Sequence, residues 1–259
     1  MYSSRTEILN DGGLRVDVRR PYELRSTTFR LGTHPACDGS ATAIQGLTHV
    51  QVSIFGPREP QNRAQVNHDR ASVVVEVGIV PWVTGGGAKK TRGDKRLQEI
   101  GAAIRQTFEP VIMTQLYPRS EIAIDVQIVD SRCTGILPIA INATTLALLD
   151  AGISILDYVT SVSVGLHLKQ PLLDLCQPEE SDIPFVVIAS LPTSGKITLA
   201  QMETRLHVDL FEKMLKLGVE ACKVLKAEMD ENVKRRTEQV VERMNIKVGG
   251  GEGSMTIDD

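Results

Sequence analysis

The chain has almost no net charge. Its 29 Lys and Arg stand against 32 Asp and Glu, a balance of -3, which argues against a uniformly basic coat for nucleic acid and leaves room only for a local basic patch. Cysteine is sparse. Cys37, Cys133, Cys176 and Cys222 are far apart, form no CxxC pair, and do not fall at zinc-ligand spacing with the five histidines. A disulfide-stapled miniprotein is excluded, no metal site is expected, and reduced thiols of a cytosolic or nuclear protein are. No run approaches ~18 uninterrupted apolar residues, and the N-terminal MYSSRTEILNDGG has no apolar signal-peptide core. Neither secretion nor a membrane span is expected. No Ser-His-Asp or Cys-His arrangement, nucleotide fingerprint, fixed-period repeat or linker can be picked out.

What is present is ordinary globular material: 259 residues, 42% apolar and 24% charged, enough for a sizeable core. The first third reads as strands. Ala41–Gln45 and His49–Phe55 flank Gly46 as hairpin arms, with Val50, Val52 and Ile54 alternating against Gln51 and Ser53. The β-branched run Ala71–Val80 predicts a central strand. Residues 60–70 and the Gly85–Gly87 region read as loops. Leu97, Ile100, Ile104, Phe108 and Val111 predict a helix that Tyr117-Pro118 stops. Ile122–Val129 and Val159–Leu166 alternate as strands. Pro138–Leu149 predicts a small-residue helix capped by Gly152. Phe185–Ser190 and Lys196–Ala200 form a second hairpin, and a last helix starts near Asp209. The expectation is an α+β fold: a single domain over 1–245, then a flexible Gly-rich tail over 246–259.

Few motifs survive inspection. SGKIT at 194–198 imitates a P-loop ending, but Ser190 stands where the loop needs Gly and ITLA reads as a strand, so a hairpin turn is preferred. Asn142 matches a glycosylation acceptor inside an apolar helix, where it means nothing. Residues 89–96 carry five basic side chains and one acid, a local +4, at a helix start. Cations there oppose the helix dipole, which points to an anionic ligand nearby; a solvated loop is the plainer alternative. Glu179-Glu180-Ser181-Asp182 reads as a solvated acidic turn.

The order of segments is more telling. Gly13-Leu14-Arg15-Val16-Asp17-Val18-Arg19-Arg20-Pro21-Tyr22-Glu23-Leu24-Arg25 resembles the signature GLRxDGRRPxELR of RNase PH-like proteins. Asp38-Gly39-Ser40, the Gly46 hairpin, Tyr117-Pro118-Arg119-Ser120, INATTLALLDAGI at 141–153 and Pro171-Leu172-Leu173-Asp174 follow in family order. The resemblance covers nearly the whole domain, and its form looks like a core ring subunit of the eukaryotic RNA exosome.

That resemblance implies an RNase PH-like fold. It implies a hexameric ring with other RNase PH-like exosome subunits, RNA-binding cap subunits above it, and associated hydrolytic exoribonucleases. RNA threads the channel, and the complex works in the nucleus, nucleolus and cytoplasm. By position, Lys95 and Arg96 correspond to an RNA-gripping Arg pair, with Arg92 in the same basic segment; Lys lacks the bidentate fork of Arg. Arg63 falls in a channel-facing loop. Asp182 corresponds to the general acid, here a vestigial candidate. Thr134 and Gly135 are what remains of a phosphate cradle, since Ile136 and Leu137 stand where relatives carry a hydroxyl and an Arg. Val18 replaces the Gly of Asp-Gly-Arg, which excludes a positive φ there. The sequence reading is therefore a channel-lining structural subunit without its own catalysis. It needs no cofactor, and inorganic phosphate enters only if the site is phosphorolytic. The alternatives are an active phosphorolytic 3′-to-5′ exoribonuclease and a globular interaction domain with no RNA role.

Overall fold

The computed structural model of the chain describes residues 8–10, 12–60, 67–80, 95–131 and 135–249. Its centre is α2 (Ile136–Asp150), in which every residue from Pro138 to Leu148 is buried. A helix with apolar side chains on every side must be enclosed, and two sheets enclose this one, while the Thr144 and Thr145 hydroxyls donate to the Ala140 and Ile141 carbonyls. The first has the order β1 (Thr27–Leu31), β2 (Gly39–Gln45), β3 (Thr48–Arg58), β5 (Glu121–Ser131), β4 (Ser72–Ile79). The second has the order β7 (Gln170–Leu173), β6 (Thr160–His167), β8 (Phe185–Leu191), β9 (Lys196–Met202) and is antiparallel throughout.

The alternation seen in the sequence points Val50, Val52 and Ile54 of β3 and Ile122, Ile124 and Val126 of β5 inward, into one core with Ile139, Leu146 and Ala189. In the second sheet, β6 and β8 are buried on both faces. Its far side, Val162, Val164, Val186 and Ile188, packs against Met214, Cys222 and Leu225 of α4 (Val208–Gly249). Asn142 ties α2 to β6: its amide donates to the Ser161 carbonyl at 3.0 Å and its oxygen accepts from the Ser161 N–H at 2.8 Å. That buried, fully bonded role is structural.

The α+β class with mixed sheets and packed helices is borne out. The Gly46 hairpin closes at Gln45↔Thr48 with Gly46 at φ +59°, the arrangement of a II′ turn. Ser194–Thr198 belongs to the β8–β9 hairpin. At the end of α2, Gly152 (φ +70°) and Ile153 donate to the carbonyls of Leu149 and Leu148, a Schellman cap.

Several expectations change. The run 71–80 forms β4 at an edge of its sheet among the described residues, parallel to β5, rather than a central strand; α1 (Lys95–Phe108) covers it and accounts for its apolarity. That helix ends at Phe108, before Pro110, not at Tyr117-Pro118. Residues 177–182 are not a solvated turn but a short helix, α3 (Gln177–Asp182), with Glu179 buried. Val18 does adopt a positive φ, +66°. Strand β7 was not anticipated. Helix α4 continues to Gly249, past residue 245; residues 250–259 lie outside the described residues.

Candidate functional site

The N-terminal signature builds a buried ionic clamp against the β7–α3 connection. Arg15 is fully buried. Its guanidinium donates to both carboxylate oxygens of Glu179 and to the carbonyls of Leu173 and Asp174. Asp174 accepts from the Arg25 backbone N–H at 2.8 Å, the Arg25 Nε at 2.9 Å, the Arg19 Nη1 at 3.3 Å and the Gln45 amide at 3.0 Å. Buried charges survive only when paired and hydrogen-bonded this thoroughly. The Cys176 thiol donates to Asp17 at 3.1 Å. Burial and that bond push the thiol up to about 11. Burial pushes the Asp17 carboxyl up as well, but hydrogen bonds from Cys176 and Arg19 outweigh it and hold the group below the ordinary carboxylate value.

The clamp places Arg25 beside the start of α2. Gly135 is the N-cap of that helix at φ +88°, with no side-chain cap, and a Cβ there would lie 3.1 Å from the Arg25 Nη2. Glycine is needed on both counts. Around it opens a cavity of about 120 Å³. Its apolar floor comes from Ile100 of α1, from Ile136, Leu137 and Pro138 of α2, and from Phe185 and Val187 of β8. Its rim carries Arg96, Glu99, Glu180, Gln201 and Glu203. A helix N-terminus favours an anion, yet the described lining sets three carboxylates against one guanidinium.

The sequence-predicted residues are therefore partly gathered. Arg96 and Gly135 line the same cavity. Lys95 starts α1 and is exposed, one residue away. Asp182 ends α3, exposed, and does not line the cavity; Glu180 of the same helix does. Arg63, Arg92 and Thr134 lie outside the described residues, as does most of the basic segment 89–96. Arg25, Glu99 and Glu203 were not singled out from sequence. Arg25 was legible as part of the signature, whereas the two glutamates carry no local pattern. Among the described residues no group of three or more His, Cys, Asp or Glu could hold a metal ion, and no helix is long and apolar enough to cross a membrane. The described cysteines, Cys37, Cys176 and Cys222, are free thiols.

Residues 23–154 match the model of the 3′ exoribonuclease family, domain 1, and residues 157–221 match domain 2 of the same family. The chain belongs to the 3′ exoribonuclease family. The exosome complex component RRP41 of Homo sapiens is 38% identical over 235 residues, 90% of this chain and 96% of that protein. The exosome complex component SKI6 of Saccharomyces cerevisiae is 33% identical over 246 residues, 94% and 100% of the two chains. The fold is shared with rice Rrp46, TM-score 0.75 at 22% identity over 85% of this chain and 100% of that one. It is shared too with a chain of the Archaeoglobus fulgidus exosome with RNA bound to the active site, TM-score 0.71 at 18% identity over 84% and 93%. The RNase PH-like resemblance of the sequence is thus upheld. In this family member the cavity at the start of α2 is lined by apolar side chains and by three carboxylates.

Proposed function

We propose that this 3′ exoribonuclease family member is a core ring subunit of an RNA exosome that lines the RNA path without its own catalysis. Its partners are other RNase PH-like subunits in a hexameric ring, RNA-binding cap subunits and associated hydrolytic exoribonucleases, in the nucleus, nucleolus and cytoplasm. Similarity to RRP41 and SKI6 across nine-tenths of the chain or more supports the assembly. The observation that carries the lack of catalysis is the lining at the start of α2: Ile136 and Leu137 on the helix, with Glu99, Glu180 and Glu203 facing the cavity. Phosphorolysis needs a preorganised cradle for a phosphate dianion. Carboxylates at close range raise the cost of bringing that dianion in, and apolar side chains offer it no hydrogen bonds.

The exposed Asp182 and the open α2 N-terminus favour a second reading, an active phosphorolytic enzyme. The test is an assay of the reconstituted ring for phosphate-dependent release of nucleoside diphosphates from RNA. No release is expected from the native ring. Release from the native ring would establish the second reading instead. Ile136→Ser with Leu137→Arg tests whether the cradle is the missing part, with restored release as the supporting result.

A further inference from the structure

We infer that the cavity at the start of α2 is a docking socket for a protein segment bearing an aliphatic side chain next to basic ones. This deepens the functional proposal and rests on its reading of the cavity as unsuited to phosphate. The floor is aliphatic and aromatic: Ile100, Ile136, Leu137, Phe185 and Val187. At about 120 Å³ it has room for a single side chain rather than a nucleotide. An apolar pocket with a few convergent polar groups is the usual form of a recognition site.

Charge complementarity selects the occupant. Glu99 and Glu203 stand exposed on opposite elements, α1 and the segment after β9. Among the described residues neither has a hydrogen-bond or ion-pair partner. Glu180 of α3 and Arg96 of α1 also line the rim and carry interactions of their own, so the unmet charge is that of Glu99 and Glu203. RNA brings a phosphate with every nucleotide and meets these groups with like charge. A Lys- or Arg-flanked Leu or Ile meets them with opposite charge and places its aliphatic group on the floor. Such anchors, an apolar side chain in a pocket ringed by polar contacts, are how compact interfaces gain their affinity.

The full chain is titrated against a fluorescein-labelled hexapeptide of alternating Lys and Leu, read by fluorescence anisotropy. A Glu-Leu hexapeptide and a labelled hexaadenylate serve as comparators. The Lys-Leu peptide is expected to bind and to weaken with added salt. Glu99→Gln with Glu203→Gln should weaken it about fivefold or more, since each exposed charge contact is worth roughly a two- to fivefold change. Both positions are exposed, so an unchanged melting temperature verifies the fold. Leu137→Ser should weaken the peptide and leave hexaadenylate unaffected. Equal binding of the Glu-Leu peptide, or no change in the double Gln variant, overturns the socket. So does a loss of hexaadenylate affinity in Leu137→Ser with the peptide unaffected. A ring without phosphorolysis whose subunit ignores the Lys-Leu peptide sinks this inference alone; a phosphorolytic ring sinks the functional reading beneath it.

Discussion

Val18 is 73% exposed and sits at φ +66°, a conformation that crowds Cβ against the following carbonyl. The turn is over-determined by its neighbours: Arg15 and Arg19 on either side are anchored to Glu179, Leu173 and Asp174. The buried clamp thus forces a β-branched residue into left-handed space. Replacing Val18 by Gly relieves ~1–2 kcal/mol of strain and adds ~0.4–1 kcal/mol of unfolded-chain entropy. A net gain of about 1 kcal/mol is expected, read as a melting temperature ~2–4 °C higher; a lower one would show that Val18 is not strained. The same clamp makes stability sensitive to base. The ordinary value of the Cys176 thiol, which the unfolded chain keeps, is 9.0, and burial and the Asp17 bond raise it in the folded protein to about 11. Between those values the folded state keeps a proton that the unfolded state has lost, so stability is complete below the lower value and drains away as pH rises through the upper. Tyr158 behaves alike one step higher: burial first, then the Asp230 and Asp157 carboxylates, push it from 10.0 to about 12. Urea midpoints measured from neutral pH upward should fall across this window. Cys176→Ser should flatten the early part of the fall and leave the Tyr158 part.

Elements formed where local signals agreed with the surroundings and were misread where they did not. The β3 and β5 alternation, the Gly46 turn and the Gly152 cap were legible because each is written in adjacent residues. Strand β7 was not, because its turn from β6 uses Leu168 and Lys169, both left-handed at φ +53° and +97°, in place of Asn-Gly. That pair occupies the two central positions of a I′ turn. Leu168 is 86% exposed, so the strain has no packing compensation at that side chain. Leu168→Asn with Lys169→Gly should raise stability by about 1 kcal/mol or more, measured by urea unfolding; no gain would mean that the turn is relaxed as it stands. The Glu179 pairing was invisible for a different reason. Its partner Arg15 lies 164 residues away, and nothing in the spacing of EESD distinguishes a buried carboxylate from solvated ones. The candidate site shows the same division. Gly135, Ile136 and Leu137 were found through their place in the family pattern, while Glu99 and Glu203 reach the cavity only through the tertiary fold.

At the scale of the molecule, the two family-model segments meet between residues 154 and 157, yet the physical joints run across that boundary. Helix α2 belongs to the first segment and is buried by both sheets, with Val159, Ala189 and Leu191 of the second segment in its core. Helix α4 packs on the second sheet through Met214, Cys222 and Leu225 and then reaches the first core with Met229 and Val233. Arg236 continues that reach to Asp150 at 3.4 Å. Beside the junction, Thr193 donates to Asp157 at 2.9 Å and accepts from Lys226 at 2.7 Å, pinning the β8–β9 turn to α4. A fragment 1–156 would leave one side of a helix buried all round in water, along with the unmet Asn142 amide. Exposing several fully buried aliphatic side chains costs roughly 1.5–3 kcal/mol each, comparable in total to the ~5–15 kcal/mol that holds a domain folded. The fragment is therefore expected to aggregate or to unfold without a cooperative transition. The full chain should give coincident urea transitions for amide-exchange probes in β5 and in β6. A fragment that melts sharply as a monomer would make the two segments independent folding units, and the positions of Arg96 and Gly135 about the cavity would then no longer depend on the second sheet.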